Sequence, residues 1–298
     1  VLFATIIWLF REPTVNLLVS FFPGSDPMSL QMRVSLFHVI FNVTTTAVLL
    51  PFAKLLVNYS CMVIRDKKTD EKTISLKFVD DRLLSTPQVA LMQVKREINY
   101  MINLVEENTS LAFTSIDAKS TQNSQKIKSN EEIIDFTNSA LTKFLIKLSV
   151  NMEQSGEKLI GSYFHVLNDL ERIGDHAENF HEIGTEMMQK DLEFSKIAHD
   201  EIISMRKIVT EMFTVSKEIF ENHDKEQLPI LTDLEDNADS IKNEVISSHF
   251  ARLAEGACTV EVSPYYSSVI LGLERVADHL VNIGYSIVSP IGSQKEYN

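Results

Sequence analysis

The chain has 298 residues, of which 44% are hydrophobic, and a mean hydropathy of −0.01, values typical of a folded protein rather than a disordered one. The formal net charge of −13 argues against nucleic acid as a partner, because phosphate backbones need Lys and Arg, and it is compatible with cation binding. With only 9 Gly, 8 Pro and 2 Cys, long helices are favoured over a turn-rich β fold, and neither a disulfide framework nor a zinc site is expected.

Residues 1–65 are predicted to be the C-terminal remnant of a membrane transport domain. The uncharged stretch 34–53 is about 20 residues long, enough to cross a hydrocarbon core about 30 Å thick as a helix. The basic residues Arg65, Lys67 and Lys68 follow it and favour the cytoplasmic side. These features predict a multi-pass plasma-membrane protein whose residues 66–298 are cytoplasmic, with further membrane helices upstream. A buried helix of a soluble protein is the alternative.

Polar side chains lie inside this predicted span, at Asn42, Thr44 and Thr45. Polar groups at membrane depth usually face a protein interior or a transport pathway, so these three residues are candidates for substrate binding. Hydrogen bonds from the threonine hydroxyls to the helix's own carbonyls are an equally good explanation.

The rest of the chain is predicted to be a linker, residues 66–86, followed by two three-helix bundles, residues 87–190 and 191–290. The predicted helices cover 88–115, 129–149, 157–189, 192–222, 225–254 and 262–288. Ser129, with Glu132 three residues later, has the pattern of an N-terminal capping box. Apolar residues recur at helical spacing in the third and sixth helices. The predicted fold class is therefore all-α: a truncated transmembrane segment followed by two tandem three-helix bundles.

One eleven-residue phrase occurs twice, at 169–179 and at 272–282. Glu171 and Glu274 are 103 positions apart, and so are Asp175 and Asp278. A repeat of this period predicts two similar structural units rather than a solenoid of short repeats.

Four Glu-x-x-x-Asp pairs occur at matching places in the two halves. They are Glu131 with Asp135, Glu171 with Asp175, Glu235 with Asp239, and Glu274 with Asp278. This spacing puts both carboxylates on one helix face, where like charges repel unless a cation neutralises them. Oxygen ligands suit Mg, Ca, Mn or iron, so all eight acids are candidate metal ligands. Solvated acidic faces without any bound ion are the simpler alternative.

Other chemistry has little support in the sequence. Glu178 and His181 have the Glu-x-x-His spacing of di-iron proteins, but Val281 replaces Glu178 in the second repeat, which argues against a ferritin-like oxidase. Serine-nucleophile and phosphate-loop motifs are absent from the sequence. The chain is therefore not expected to be an enzyme, and a carboxylate-bridged metal enzyme is a distant third hypothesis.

The two phrases, Leu-Glu-Arg-Ile-Gly-Asp-His and Leu-Glu-Arg-Val-Ala-Asp-His, resemble the signature of the PhoU family. Members of that family are duplicated three-helix bundles tied to phosphate transport, and some bind metal clusters through Glu/Asp-x-x-x-Asp motifs. The resemblance implies the same eight acids as metal positions. Segments 37–42, 50–52 and 78–87 resemble the end of the bacterial sodium/phosphate cotransporter family, in which the last membrane helix leads into a PhoU-like domain.

The cotransporter resemblance implies sodium-dependent phosphate symport, with sodium as the transported co-ion and a cytoplasmic regulatory domain. The Gln-Ser-Ser substrate motifs of that family are absent from this sequence, so the chain is not expected to transport phosphate on its own. The alternative is a membrane-tethered phosphate-signalling regulator, which binds a partner protein and transports nothing.

Overall fold

The computed structural model describes residues 11–52, 74–150, 152 and 154–288, and throughout these ranges the regular structure is helical. The chain divides into two compact units, Val1–Lys72 and Thr73–Asn298. The all-α prediction is confirmed.

The described part of the first unit is a helical hairpin of α1 (Arg11–Phe21) and α2 (Pro27–Leu49), which ends in a 3₁₀ turn at Leu50–Phe52. Asp26 caps α2 by accepting a hydrogen bond from the Ser29 amide at 3.1 Å. The guanidinium of Arg33 donates to the carbonyl oxygen of Phe22 at 2.6 and 2.8 Å and closes the turn between the helices.

The predicted membrane span at residues 34–53 is not found. Its uncharged helical part runs from Val34 to Leu49, about 16 residues or roughly 24 Å, which is shorter than a hydrocarbon core of about 30 Å. His38 and Asn42 lower its hydropathy further. In the ranges that the structure describes, no helix has the length and apolar character needed to cross a membrane. The prediction of a multi-pass plasma-membrane protein is therefore wrong. Residue 53, the last of the predicted span, and residues 1–10 and 65–68, which entered that prediction, lie outside the described residues.

The three candidate substrate residues all lie on α2. Asn42 and Thr44 are exposed, and Thr45 is half-buried. Their role in substrate binding stays a prediction.

The described part of the second unit contains six long helices. They are α3 (Pro87–Asp117), α4 (Ser124–Ser149), α5 (Gln154–Gln189), α6 (Lys196–Asn222), α7 (Leu228–Ala254) and α8 (Ser263–Val288). The main difference from the predicted bounds is at α4, which begins five residues before Ser129. Ile127 and Ile134 share one buried stripe, and this continues the helix through the expected cap, so that Ser129 and Glu132 lie inside it.

Helices α3, α4 and α5 form the first bundle, and α6, α7 and α8 form the second. Helix α5 packs along α8 and joins the two bundles into one core. At this contact Gly272 faces Phe180, and a Cβ at residue 272 would lie 2.6 Å from Cε1 of that ring. The predicted apolar stripes of these two helices are buried: Val166, Leu170, Ile173, Ala177 and Phe180 on α5, and Leu273, Val276, Leu280, Ile283 and Ile287 on α8.

The described part of the predicted linker, residues 74–86, packs against the first bundle. The buried carboxylate of Glu97 accepts hydrogen bonds from the backbone amides of Lys77 at 3.1 Å and Phe78 at 2.7 Å. Val79 joins the core, and Asp81 pairs with Lys147 at 2.9 Å. The predicted domain boundaries stay predictions.

Candidate metal centres

The eight predicted acids fall into two groups, one in each bundle. Cluster one consists of Glu131 and Asp135 on α4 with Glu171 and Asp175 on α5, and a ninth acid, Glu178 on α5, joins it. Cluster two consists of Glu235 and Asp239 on α7 with Glu274 and Asp278 on α8. In each bundle the acids come from two adjacent antiparallel helices. The four-residue spacing puts both members of a pair on one face of their helix, and that face is turned toward the neighbouring helix.

Cluster one depends on a glycine at its centre. A Cβ at Gly174 would lie 3.2 Å from each carboxylate oxygen of Glu131, a contact tighter than ordinary packing. The missing side chain therefore leaves room for Glu131 to lie against α5. Ala277 occupies the equivalent position in the second repeat.

Glu131 is the most buried acid of cluster one, at 7% exposure, and its Oε2 has no hydrogen-bond partner among the described residues. Burial, together with the negative charges of Asp135, Glu178, Asp175 and Glu171, raises the pKa of Glu131 to about 8. The carboxyl group therefore holds a proton at neutral pH unless a cation takes its place.

The neighbours of Glu131 respond in the same way. Burial raises the pKa of Asp135, and the charge of Asp175 adds to this effect. Burial and, to a smaller extent, the negative charge of Asp175 raise the pKa of Glu171, while the positive charge of Arg172 lowers it. Arg172 lies 3.9 Å from both Glu171 and Asp175 on its own helix. Because this arginine is mostly exposed, its charge is well screened and leaves the cluster uncompensated.

Cluster two is more compact and contains a cation of its own. Glu235, Asp239 and Asp278 each offer one oxygen, and these three atoms lie within 4.8 Å of one another. The Lys242 ammonium donates to Asp239 at 3.0 Å and to Glu274 at 2.9 Å. Burial, followed by the charge of Glu274, raises the pKa of Asp278 to about 6.

Two observations indicate that the carboxylate oxygens of these clusters suit a divalent or iron cation. One is the buried, unpartnered oxygen of Glu131, and the other is the convergence of three carboxylates in cluster two. Hard and borderline cations prefer such oxygen ligands. The structure thus brings together four predicted acids in each bundle, and their role as metal ligands stays a prediction.

Two members of these clusters were not identified from the sequence. Glu178 follows Asp175 by three positions, and Lys242 follows Asp239 by three, so helical spacing places each on its cluster's face. Glu178 had drawn attention only for its spacing to His181. That histidine instead pairs through Nδ1 with the Ser115 hydroxyl at 2.6 Å, toward α3.

The two histidines of the repeated phrase have structural contacts. The rings of His176 and His279 lie 6.1 Å apart between α5 and α8. His279 Nδ1 pairs with Asp169 Oδ1 at 2.9 Å, across the contact between the bundles. Burial lowers the pKa of His176, which keeps its ring neutral. Such contacts agree with histidines that fix the packing of the bundles.

A duplicated helical bundle with acid pairs at matching places in both halves defines a recognised class. The family model described as "PhoU domain" matches residues 98–183 and 202–287. These two segments cover more than half of the chain, which therefore belongs to the PhoU domain family.

The chain is 23% identical over 213 residues to the phosphate-specific transport system accessory protein PhoU homolog 1 of Thermotoga maritima, covering 66% of this chain and 85% of that protein. Its fold is similar to PhoU from Pseudomonas aeruginosa, with a TM-score of 0.63 at 18% identity, covering 67% of this chain and 96% of the other. The phosphate transport system regulatory protein PhoU from Streptococcus pneumoniae gives a TM-score of 0.62 at 18% identity, covering 69% and 96%.

These matches correct the functional prediction. The PhoU resemblance is confirmed, but the matches are to accessory and regulatory PhoU proteins and none of them shows a sodium/phosphate cotransporter. Sodium-dependent phosphate symport, with sodium as a co-ion, is therefore wrong as the function of this chain. The alternative, a phosphate-signalling regulator that binds a partner and transports nothing, agrees better with them.

Proposed function

We propose that this chain is a regulatory protein of phosphate transport, which binds metal cations at its acidic clusters and acts on a partner protein without catalysing a reaction. Membership of the PhoU domain family supports this proposal, and so do the names of its relatives, which describe an accessory protein and a regulatory protein of phosphate transport. The partner is a component of a phosphate transport or signalling system.

The observation that carries the metal-binding part is the state of Glu131. A buried carboxylate with an unpartnered oxygen beside four other acids is costly, because each negative charge destabilises the others in a poorly hydrated site. A divalent cation supplies the missing positive charge. Oxygens of Glu131 and Asp135 on α4 and of Glu171 and Asp175 on α5 would hold it and so fix the packing of the two helices.

Metal content tests this part directly. The chain, stripped with a chelator, is titrated with Mn²⁺, and free Mn²⁺ is followed by electron paramagnetic resonance. We expect at least one tight site, which Asp175→Asn and Asp135→Asn weaken. Glu132→Gln is the matched control, because Glu132 is exposed and adjacent to Glu131 on the same helix. The same weak Mn²⁺ binding in the wild type, the Asn variants and the control would refute the metal site.

The regulatory part is tested in the host cell by deleting the gene and measuring phosphate uptake and the expression of phosphate-responsive genes. Both should change on deletion. The wild type and Glu132→Gln should restore them, whereas Asp135→Asn with Asp175→Asn should not. A host in which deletion changes neither quantity would contradict the regulatory role.

A further inference from the structure

One difference between the two acidic clusters is a lysine that cluster two has and cluster one lacks at the equivalent position of the repeat. Lys242 follows Asp239 by three positions in cluster two, and Asn138 follows Asp135 by three in cluster one. The Lys242 side chain is only 17% exposed and contacts two acids on different helices, Asp239 and Glu274. In the described part of the chain, the acids of cluster one form an ion pair only with the exposed Arg172.

This difference agrees with the geometry of the carboxylates. Like charges at short range repel strongly in a poorly hydrated site, and a positive charge among the acids allows their carboxylates to approach more closely. Three acids of cluster two have ligand oxygens within 4.8 Å of one another, and these acids include Asp239, which Lys242 contacts. Among the described residues no other three acids, cysteines or histidines come so close, those of cluster one included.

We propose that Lys242 is the resident counter-ion of cluster two, so that the two clusters bind divalent cations with unequal affinity. This inference rests on the proposed metal binding by the chain. Cluster one, which has no such ammonium, takes a cation directly. At cluster two the cation must displace the Lys242 ammonium from Asp239 and Glu274, and it therefore binds more weakly.

The consequence is an ordered response to metal concentration. Cluster one fills first, and cluster two fills only when the free cation is concentrated enough to compete with Lys242. The side chain of this lysine is thus a specificity-determining group for occupancy of the second site.

The test compares Mn²⁺ titrations of the chelator-stripped chain and its variants, with bound Mn²⁺ per chain as the readout. The wild type should show a tight class of site that Asp175→Asn removes and a weaker class that Asp278→Asn removes. Lys242→Gln should strengthen the weaker class by at least about tenfold, because the competing ammonium is gone. Lys147→Gln is the matched control, since it makes the same change of charge at a lysine paired with Asp81.

A reciprocal variant covers the case in which Lys242→Gln does not fold, which circular dichroism would reveal. Asn138→Lys places an ammonium in cluster one and should weaken the tight class by at least about tenfold.

The outcomes separate the two proposals. Absence of Mn²⁺ binding from both wild type and Lys242→Gln would overturn the proposed function and this inference with it. Tight binding lost in Asp175→Asn, together with a second class that neither Lys242→Gln nor Asn138→Lys shifts relative to the first, would overturn the role of Lys242 alone. Equal affinity of the two clusters in the wild type would do the same.

Discussion

The two bundles have a glutamate at the same place in the repeat, Glu97 fully buried and Glu201 largely buried, but they satisfy its carboxylate differently. Glu97 in the first bundle accepts two backbone amides from the segment that precedes the bundle, at 3.1 and 2.7 Å. Glu201, 104 positions later, accepts the Arg252 guanidinium at 2.9 and 2.7 Å and the Tyr266 hydroxyl at 2.5 Å. The duplication therefore keeps the position of this glutamate in both bundles, while the groups that bind its carboxylate differ between them.

Among the substitutions that test this difference between the bundles, one at Arg252 is expected to change the free energy of unfolding most. Arg252→Leu leaves the largely buried Glu201 carboxylate without a positive partner, and we expect it to reduce the free energy of unfolding by about 3 kcal/mol. Urea denaturation measures the change. Arg96→Leu, on an exposed position of α3, is the control and should stay within about 0.5 kcal/mol of the wild type.

The double variant Arg252→Leu with Glu201→Gln sharpens the test. It removes the uncompensated charge and should recover part of the lost stability. A loss below about 1 kcal/mol for the single variant would show that Glu201 is hydrated and that the two bundles do not differ in this respect.

The next largest effect is the pH dependence of stability that Glu131, the buried acid of cluster one, is expected to cause. The pKa of Glu131 is about 8 in the folded chain, against 4.5 for an ordinary glutamate. Between these values the unfolded chain loses the proton and the folded chain keeps it, so stability falls as pH rises. The slope is about 1.4 kcal/mol per pH unit, or about 2.7 kcal/mol between pH 5 and pH 7.

Glu131→Gln removes this titration. The unfolding free energy of the wild type minus that of Glu131→Gln, measured with chelator present, should therefore decrease by that amount from pH 5 to pH 7. Glu132→Gln should keep the slope of the wild type, and saturating Mn²⁺ should flatten the wild-type curve. Parallel pH curves for the wild type and Glu131→Gln would show that Glu131 titrates normally.

The parts of the molecule that the sequence predicts well are those set by periodicity. The helices and their buried stripes follow from apolar residues at helical spacing, and the repeat of Glu171 at Glu274 locates both acidic clusters. The prediction of a membrane span is wrong because the absence of charged residues does not show where a helix ends. The α-helix stops at Leu49, next to a 3₁₀ turn that contains Pro51, which has no amide hydrogen to donate.

Contacts between distant segments could not be predicted in the same way. Glu97 is satisfied by backbone amides, which every residue except proline carries, so no side-chain pattern identifies them. The contact of Lys242 with Glu274 joins two helices, and it requires knowing which face of α7 meets α8. The four-residue spacing defines a helix face, but only the packed structure shows what that face meets.

The smallest effect compares two glycines of α5 and tests how closely the helices of the first bundle approach. A Cβ at Gly184 would lie 2.8 Å from the backbone carbonyl carbon of Ser115 on α3, whereas a Cβ at Gly161 would meet nothing within 4 Å. Gly184→Ala should therefore destabilise the chain by about 1–3 kcal/mol, because the backbones must separate. Gly161→Ala should stabilise it by up to about 1 kcal/mol through helix propensity.

Thermal and urea unfolding of the two variants should thus shift in opposite directions. In the second bundle Ile287 occupies the position equivalent to Gly184 and is buried, so the same close approach of backbones is not available there. At this position of the repeat, the requirement for glycine consequently belongs to the first bundle alone. A stabilising Gly184→Ala would show that α3 and α5 can move apart at no cost, and that the two bundles tolerate side chains equally at this contact.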